Sequence, residues 1–114
     1  MKVINLDSLQ NQPVEFNGKN VSGVSIRWLI KKEDGAPNFA MRYFEMQPHT
    51  EIPPHSHPWE HEIFILDGEC EITVGNITKH VSKNSAVFIE PNIEHSYKNN
   101  SDKLLKFLCI IPHT

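Results

Sequence analysis

Three imidazoles fall within seven residues at His55, His57 and His61, in the stretch HSHPWEHEIFILDG that runs from His55 to Gly68. In an extended chain successive side chains alternate faces, so 55, 57 and 61 share one parity and can point to one side. Histidine is the commonest protein metal ligand, and neutral imidazole suits zinc, copper, iron and nickel. The chemistry implied is coordination of a divalent ion, which can stabilise charge on a small molecule and template its reacting atoms. A lone histidine is usually a surface or satisfied core residue, but that reading fits H-x-H-x3-H poorly. His49, His80 and His113 lie in polar or terminal stretches and read as solvated.

The elements that must position these imidazoles read as short strands. Residues 1–20 read as a polar, irregular arm with room for one short strand, and Val21–Lys31 follows as a strand with Val24, Ile26, Trp28 and Ile30 on one face. Phe39–Gln47 is a second strand, with Ala40, Arg42, Phe44 and Met46 sharing a face. Pro48, Pro53, Pro54 and Pro58 then surround the approach to the histidines. Proline removes a ladder donor, which predicts a barrel rim there rather than a central strand. His61–Leu66, Glu69–Val74, Ile77–Val81, Ala86–Glu90, Glu94–Asn99 and Lys103–Ile111 complete the set. Asp67-Gly68 is a turn signal, and Gly75-Asn76 reads as a two-residue hairpin turn. No helical periodicity persists over a helical length. Strands at this spacing predict an all-β barrel or sandwich.

Length and charge narrow the class. A chain of 114 residues predicts a single domain with its own core. A formal net charge of −3 with 11 scattered Lys and Arg argues against nucleic acid as a partner. No apolar run approaches the ~20 residues of a membrane span. The opening MKVINLDSLQ makes a poor signal peptide, so a cytoplasmic location is expected, with Cys70 and Cys109 as reduced buried thiols.

HSHPWEHEIFILDG followed by IEPNIEHSYKN resembles the two motifs of the cupin superfamily, small double-stranded β-helix (jelly-roll) barrels. The first family motif is G-x5-H-x-H-x3,4-E-x6-G. His55 and His57 fill its histidine slots and Gly68 its final glycine, which puts His61 in the glutamate slot. Glu62 is the neighbouring alternative, but it leaves only five residues before Gly68 and has the opposite parity. Of the second motif, G-x5-P-x-G-x2-H-x3-N, Pro91, His95 and Asn99 are present. Ser85 and Ile93 stand where its glycines belong, one residue is missing between Pro91 and His95, and His49 or Thr50 replaces the leading glycine of the first motif. The resemblance implies a cupin barrel over about 40–111, preceded by an arm over about 1–20.

PNFAMRYFEMQP…HSHPWEHEIF…EPNIEHSYKN…FLCIIP is similar, more narrowly, to single-domain cupins with a four-histidine site for manganese or another divalent ion. The resemblance implies His55, His57, His61 and His95 as ligands to one divalent metal ion per chain, with manganese first and iron, nickel, copper or zinc as alternatives. Four imidazoles leave the charge of +2 uncompensated, which favours anionic or oxygen-rich small-molecule ligands. An octahedral ion would keep two positions open, whereas zinc would close a tetrahedral structural site. Arg42, Tyr97, Phe107 and Cys109 are the pocket candidates. Glu62 is either a supporting residue for a neighbouring histidine or the partner in a surface ion pair. The expected function is a metal-dependent oxidoreductase of dioxygenase type. Its alternatives are a metal-dependent isomerase and a non-catalytic sugar- or metabolite-binding module. The last strand is apolar on both faces, Phe107, Cys109 and Ile111 on one and Leu104, Leu108 and Ile110 on the other, and this, with the family resemblance, predicts a homodimer.

Overall fold

In the computed structural model, which describes residues 1–16 and 18–114, the alternating patterns become ten antiparallel strands. They are β1 (Gln12–Phe16), β2 (Lys19–Ile30), β3 (Phe39–Met46), β4 (Thr50–His55), β5 (His61–Asp67), β6 (Glu69–Val74), β7 (Ile77–Ser82), β8 (Ala86–Ile89), β9 (His95–Asn99) and β10 (Leu105–Pro112). Only two single turns of 3-10 helix, Leu6–Ser8 and Lys32–Asp34, interrupt them among the described residues. No helix there is long and apolar enough to cross a membrane.

The strands form a six-stranded sheet in the order β1-β2-β3-β10-β5-β8 and a four-stranded sheet in the order β4-β9-β6-β7. This is the jelly-roll barrel expected from the sequence. Inward-facing residues of both sheets make the core, and Met46, Ile65, Ile89 and Leu105 are fully buried. Each such side chain contributes roughly 1.5–3 kcal/mol by leaving water. Phe44 and Phe107 stack with ring centres 5.1 Å apart on neighbouring strands β3 and β10.

The short strand that the N-terminal arm allowed is β1, hydrogen-bonded to β2. Two features differ from the expected pattern. The proline-rich approach is itself a strand, β4, at the edge of the smaller sheet, and its register with β9 slips between Ile52 and His55. Pro53 and Pro54 sit in that irregularity, where their missing donors cost nothing. Finally, Asp67-Gly68 joins no hairpin: β5 and β6 belong to different sheets, and Gly68 is the corner between them. Its φ is 87°, and a Cβ there would lie 2.8 Å from the Leu104 carbonyl oxygen, so only glycine turns this corner. Gly75-Asn76 is the hairpin turn expected, with Val74 paired to Ile77 and Gly75 at φ 60°.

The missing motif glycines have a matching explanation. A glycine is needed where φ is positive, and among the described residues the non-glycine residues with positive φ are His49 (59°), Asn84 (73°) and Asn92 (67°). His49 occupies the leading slot of the first motif. Asn92, rather than Ile93, fills the second glycine slot of the second motif, because the deletion falls directly after Pro91. Asn84, one residue before Ser85, takes the left-handed turn at the first. Histidine and asparagine tolerate this region better than most residues, so the turns survive without glycine.

Candidate metal centre

His55 ends β4, His57 lies in the following loop, His61 opens β5 and His95 opens β9. All four therefore meet at one end of the barrel, and one ligand atom from each lies within 4.8 Å of the others. Shared parity on one strand is not what gathers them. His61 comes from the six-stranded sheet and His55 and His95 from the four-stranded one, where they are paired directly.

The hydrogen bonds show which ring nitrogen each presents. The Nδ1 of His55 lies 2.7 Å from the Pro53 carbonyl, that of His57 3.2 Å from the Trp59 carbonyl, and that of His95 2.9 Å from the Ile93 carbonyl. A carbonyl can only accept, so each Nδ1 carries the proton and donates it. The Nδ1 of His61 lies 3.1 Å from the Cys109 sulfur. His55, His57 and His95, when neutral, therefore turn an unprotonated Nε2 inward, and His61 does the same in the tautomer whose Nδ1 donates to the thiol sulfur. The Nε2 atoms of His57 and His61 are 2.8 Å apart, and the Nε2 of His95 is buried with no hydrogen-bond partner. Converging lone pairs without donors are what a cation satisfies, and bonded outer nitrogens are the support that metal-ligating histidines ordinarily have. The residues fit a divalent ion.

Burial favours the neutral forms of His55, His57 and His61. It pushes His55 down to about 4 and His61 down to about 3, with the other imidazoles and Arg42 adding to the effect, and it lowers His57 as well. In the unfolded chain these rings protonate near the ordinary value of about 6.5. Between pH 7 and 5 the unfolded state therefore binds more protons, and the metal-free fold should lose stability as the pH falls. Thermal melts in chelator across that window, above the range of most carboxylates, check this. A flat profile would contradict the neutral cluster.

A cavity of about 140 Å³ adjoins the histidines, and Arg42, Tyr97, Phe107 and Cys109, the four expected pocket residues, all line it. Tyr97 and Cys109 are deeply buried, which raises the pKa of both and favours the protonated forms. Cys70 and Cys109 are both buried and free, as expected of reduced thiols. Phe16, Phe44, Ile52 and Trp59 complete the wall. Trp59 stacks on His57 at 4.2 Å with the rings nearly parallel, and Phe16 of β1 packs against His55 at 4.5 Å. Phe16 gave no signal in the sequence, because it belongs to an arm without alternation.

Two expectations need correction. Glu62 supports no histidine: it is exposed on the outer face of β5, opposite Phe88, and carboxylates play no part behind the rings. Backbone carbonyls and a sulfur hold the outer nitrogens instead, and no side-chain pattern could have announced them. Likewise His113 is not simply solvated, since its half-buried ring bonds the Ala36 carbonyl at 2.7 Å. His49 and His80 are exposed, beside Asp102 and Glu69.

Barrel and motif together define a cupin: the Cupin domain family matches residues 42–111, and the chain belongs to it. Among solved structures it is similar to the polyketide cyclase RemF of Streptomyces resistomycificus, at 30% identity and a TM-score of 0.89, covering 98% of this chain and 79% of that one. A predicted oxalate decarboxylase of Thermotoga maritima shares the fold at 20% identity and a TM-score of 0.83, covering 99% and 100%. The H2HPP isomerase of Bacillus subtilis is 33% identical over 57 residues, 49% of this chain, and the match spans 24% of the isomerase.

Proposed function

We propose that His55, His57, His61 and His95 hold one divalent metal ion, manganese first, and that the chain uses it as an enzyme on a small molecule in the adjoining cavity. The convergence of four inward Nε2 atoms, each backed at Nδ1, carries this reading. A bound ion would supply charge stabilisation to an oxygen of the ligand and a template for its reacting atoms. Tyr97, kept protonated by burial, offers a hydroxyl donor to the same space. Phe16, Phe44, Ile52 and Phe107 limit water there.

Two relatives are by name a cyclase and an isomerase. That supports rearrangement of an enolisable carbonyl compound, the metal-dependent isomerase reading, ahead of oxidation. The oxygen-using oxidoreductase is the second reading, favoured by the largely apolar wall, which suits an apolar gas. A sugar-binding module fits less well, because so few groups on that wall could bond hydroxyls. The test is solvent-deuterium exchange into small keto acids, followed by NMR with an oxygen electrode in parallel. Metal-dependent exchange is expected. Oxygen uptake without exchange would move the assignment to the oxidoreductase, and neither signal would leave a binding module.

We also propose a homodimer through the outer face of the six-stranded sheet. Phe64 and Phe88 are 40% and 59% exposed there, beside half-buried Leu108, Ile110 and Met41, and Glu62 is the charge among them. Such a patch on neighbouring strands marks an interaction surface. A monomeric mass by light scattering at micromolar concentration would refute the pairing.

A further inference from the structure

Two arginines lie on neighbouring strands of the six-stranded sheet, and they are treated very differently. Arg27, on the outer face of β2, donates to the Asn11 side chain at 2.7 Å, the Leu6 carbonyl at 3.1 Å and the Glu45 carboxylate at 3.2 Å. Arg42, on the inner face of β3 between buried Ala40 and Phe44, has no carboxylate partner among the described residues. Its Nη2 lies 3.0 Å from the Cys109 sulfur and 3.5 Å from the Nδ1 of His61, which is itself a donor in the tautomer that turns Nε2 toward the other histidines. Its Nε is buried without a partner. The rings of Phe44 and Trp28 lie 5.1 and 5.6 Å from the guanidinium carbon, a favourable environment for a cation but not a counter-ion.

Arg42 is half-buried with its Nε fully covered, and a charge withdrawn from water in this way is ordinarily paired. Here the cavity holds a fixed cation beside three imidazoles, those of His55, His57 and His61, and no aspartate or glutamate lines it. A divalent ion would add to the same sign. The complement missing from this arrangement is negative charge. We infer that the ligand of this site is a small carboxylate, with its anionic group held by Arg42 and a neighbouring oxygen turned toward the four-histidine centre. This rests on the proposed metal centre and narrows its substrate to α-oxo or α-hydroxy acids and larger molecules ending in one. The cavity volume of about 140 Å³ equals roughly four to five water volumes. It admits a two- or three-carbon acid head and not a bulky group. A guanidinium can take a carboxylate through two parallel N–H bonds, which lysine cannot reproduce.

The test uses the manganese-loaded protein and isothermal titration with pyruvate, its neutral amide and inorganic phosphate. Hydrogen bonds to a charged partner are worth roughly 10- to 100-fold in affinity. Wild type should therefore bind pyruvate at least about tenfold more tightly than the amide, and phosphate more weakly than pyruvate. Arg42→Met should lose that preference while keeping its manganese and its weak amide binding, and Arg42→Lys should recover only part. Equal binding of pyruvate and amide by the wild type would overturn the inference even if Arg42→Met failed to fold. So would a preference retained in a folded Arg42→Met, or phosphate binding in place of pyruvate. A wild-type protein that takes up no manganese would instead defeat the metal centre, so the two failures are distinct.

Discussion

Replacing His95 with alanine is expected to lower divalent-metal affinity by at least about 100-fold, the upper end of what is lost when only the support behind a ligand is removed. His95 is 2% exposed and packs edge-on against the other three rings, with centres 4.3, 5.1 and 5.0 Å from those of His55, His57 and His61. Among the four rings its Nε2 is the one buried without a hydrogen-bond partner in the described residues, so its role is the hardest to explain without an ion. It also comes from a strand remote in sequence from the other ligands, and no neighbouring side chain can take its place. Competition against a metal-sensitive dye, with elemental analysis of the purified variant, reads the loss. Melting of both proteins in chelator separates loss of the ligand from loss of the fold. Unchanged occupancy would remove His95 from the site.

The second large effect concerns stability at the other end of the same strand. Asn99, fully buried at the end of β9, donates through Nδ2 to the carbonyls of Met46, Gln47 and Lys103 at 3.0, 3.2 and 2.9 Å. Its Oδ1 accepts from the backbone N–H and the hydroxyl of Ser101 at 3.1 and 2.8 Å. One amide thereby ties the end of β3 to the β9–β10 turn. Asn99→Ala would leave several buried groups unpaired at ~1–3 kcal/mol each, with partial rescue by water, for a net cost of about 4 kcal/mol. In a domain of this size that corresponds to a fall in Tm on the order of 15–20 °C. Calorimetry checks it, and a fall of only ~2–3 °C would mean that water or a rearranged turn replaces the amide.

The two residues also show what could be read in advance. His95 and Asn99 were legible because their chemistry is in their side chains and their spacing is fixed by one strand. The strands from β5 onward were legible because short alternating runs are separated by turn residues. β4 was not, since prolines argue against a strand unless it lies at an edge with a slipped register, and pairing order is a property of the whole sheet. The turns at His49, Asn84 and Asn92 were hidden because the needed quantity is a backbone angle, for which glycine is only the usual sign. Around the cavity Tyr97, Phe107 and Cys109 followed from the alternation of their strands, while the meeting of histidines from two sheets and the carbonyls of Pro53, Trp59 and Ile93 could not, because every residue has a carbonyl and only the fold aims it.

The placing of His61 on one sheet and of His55 and His95 on the other carries a consequence for how the barrel holds itself shut. His61 and His95 lie 34 residues apart in the chain, on different sheets. An ion shared by them would close a loop of that length, as a covalent crosslink does, and the chain-entropy treatment of such closures gives roughly 3–4 kcal/mol. The centre would then act as a clasp between sheets. Amide hydrogen exchange in β5 and β9 should slow together when manganese is added, and protection confined to one of them would show that the clasp does not close.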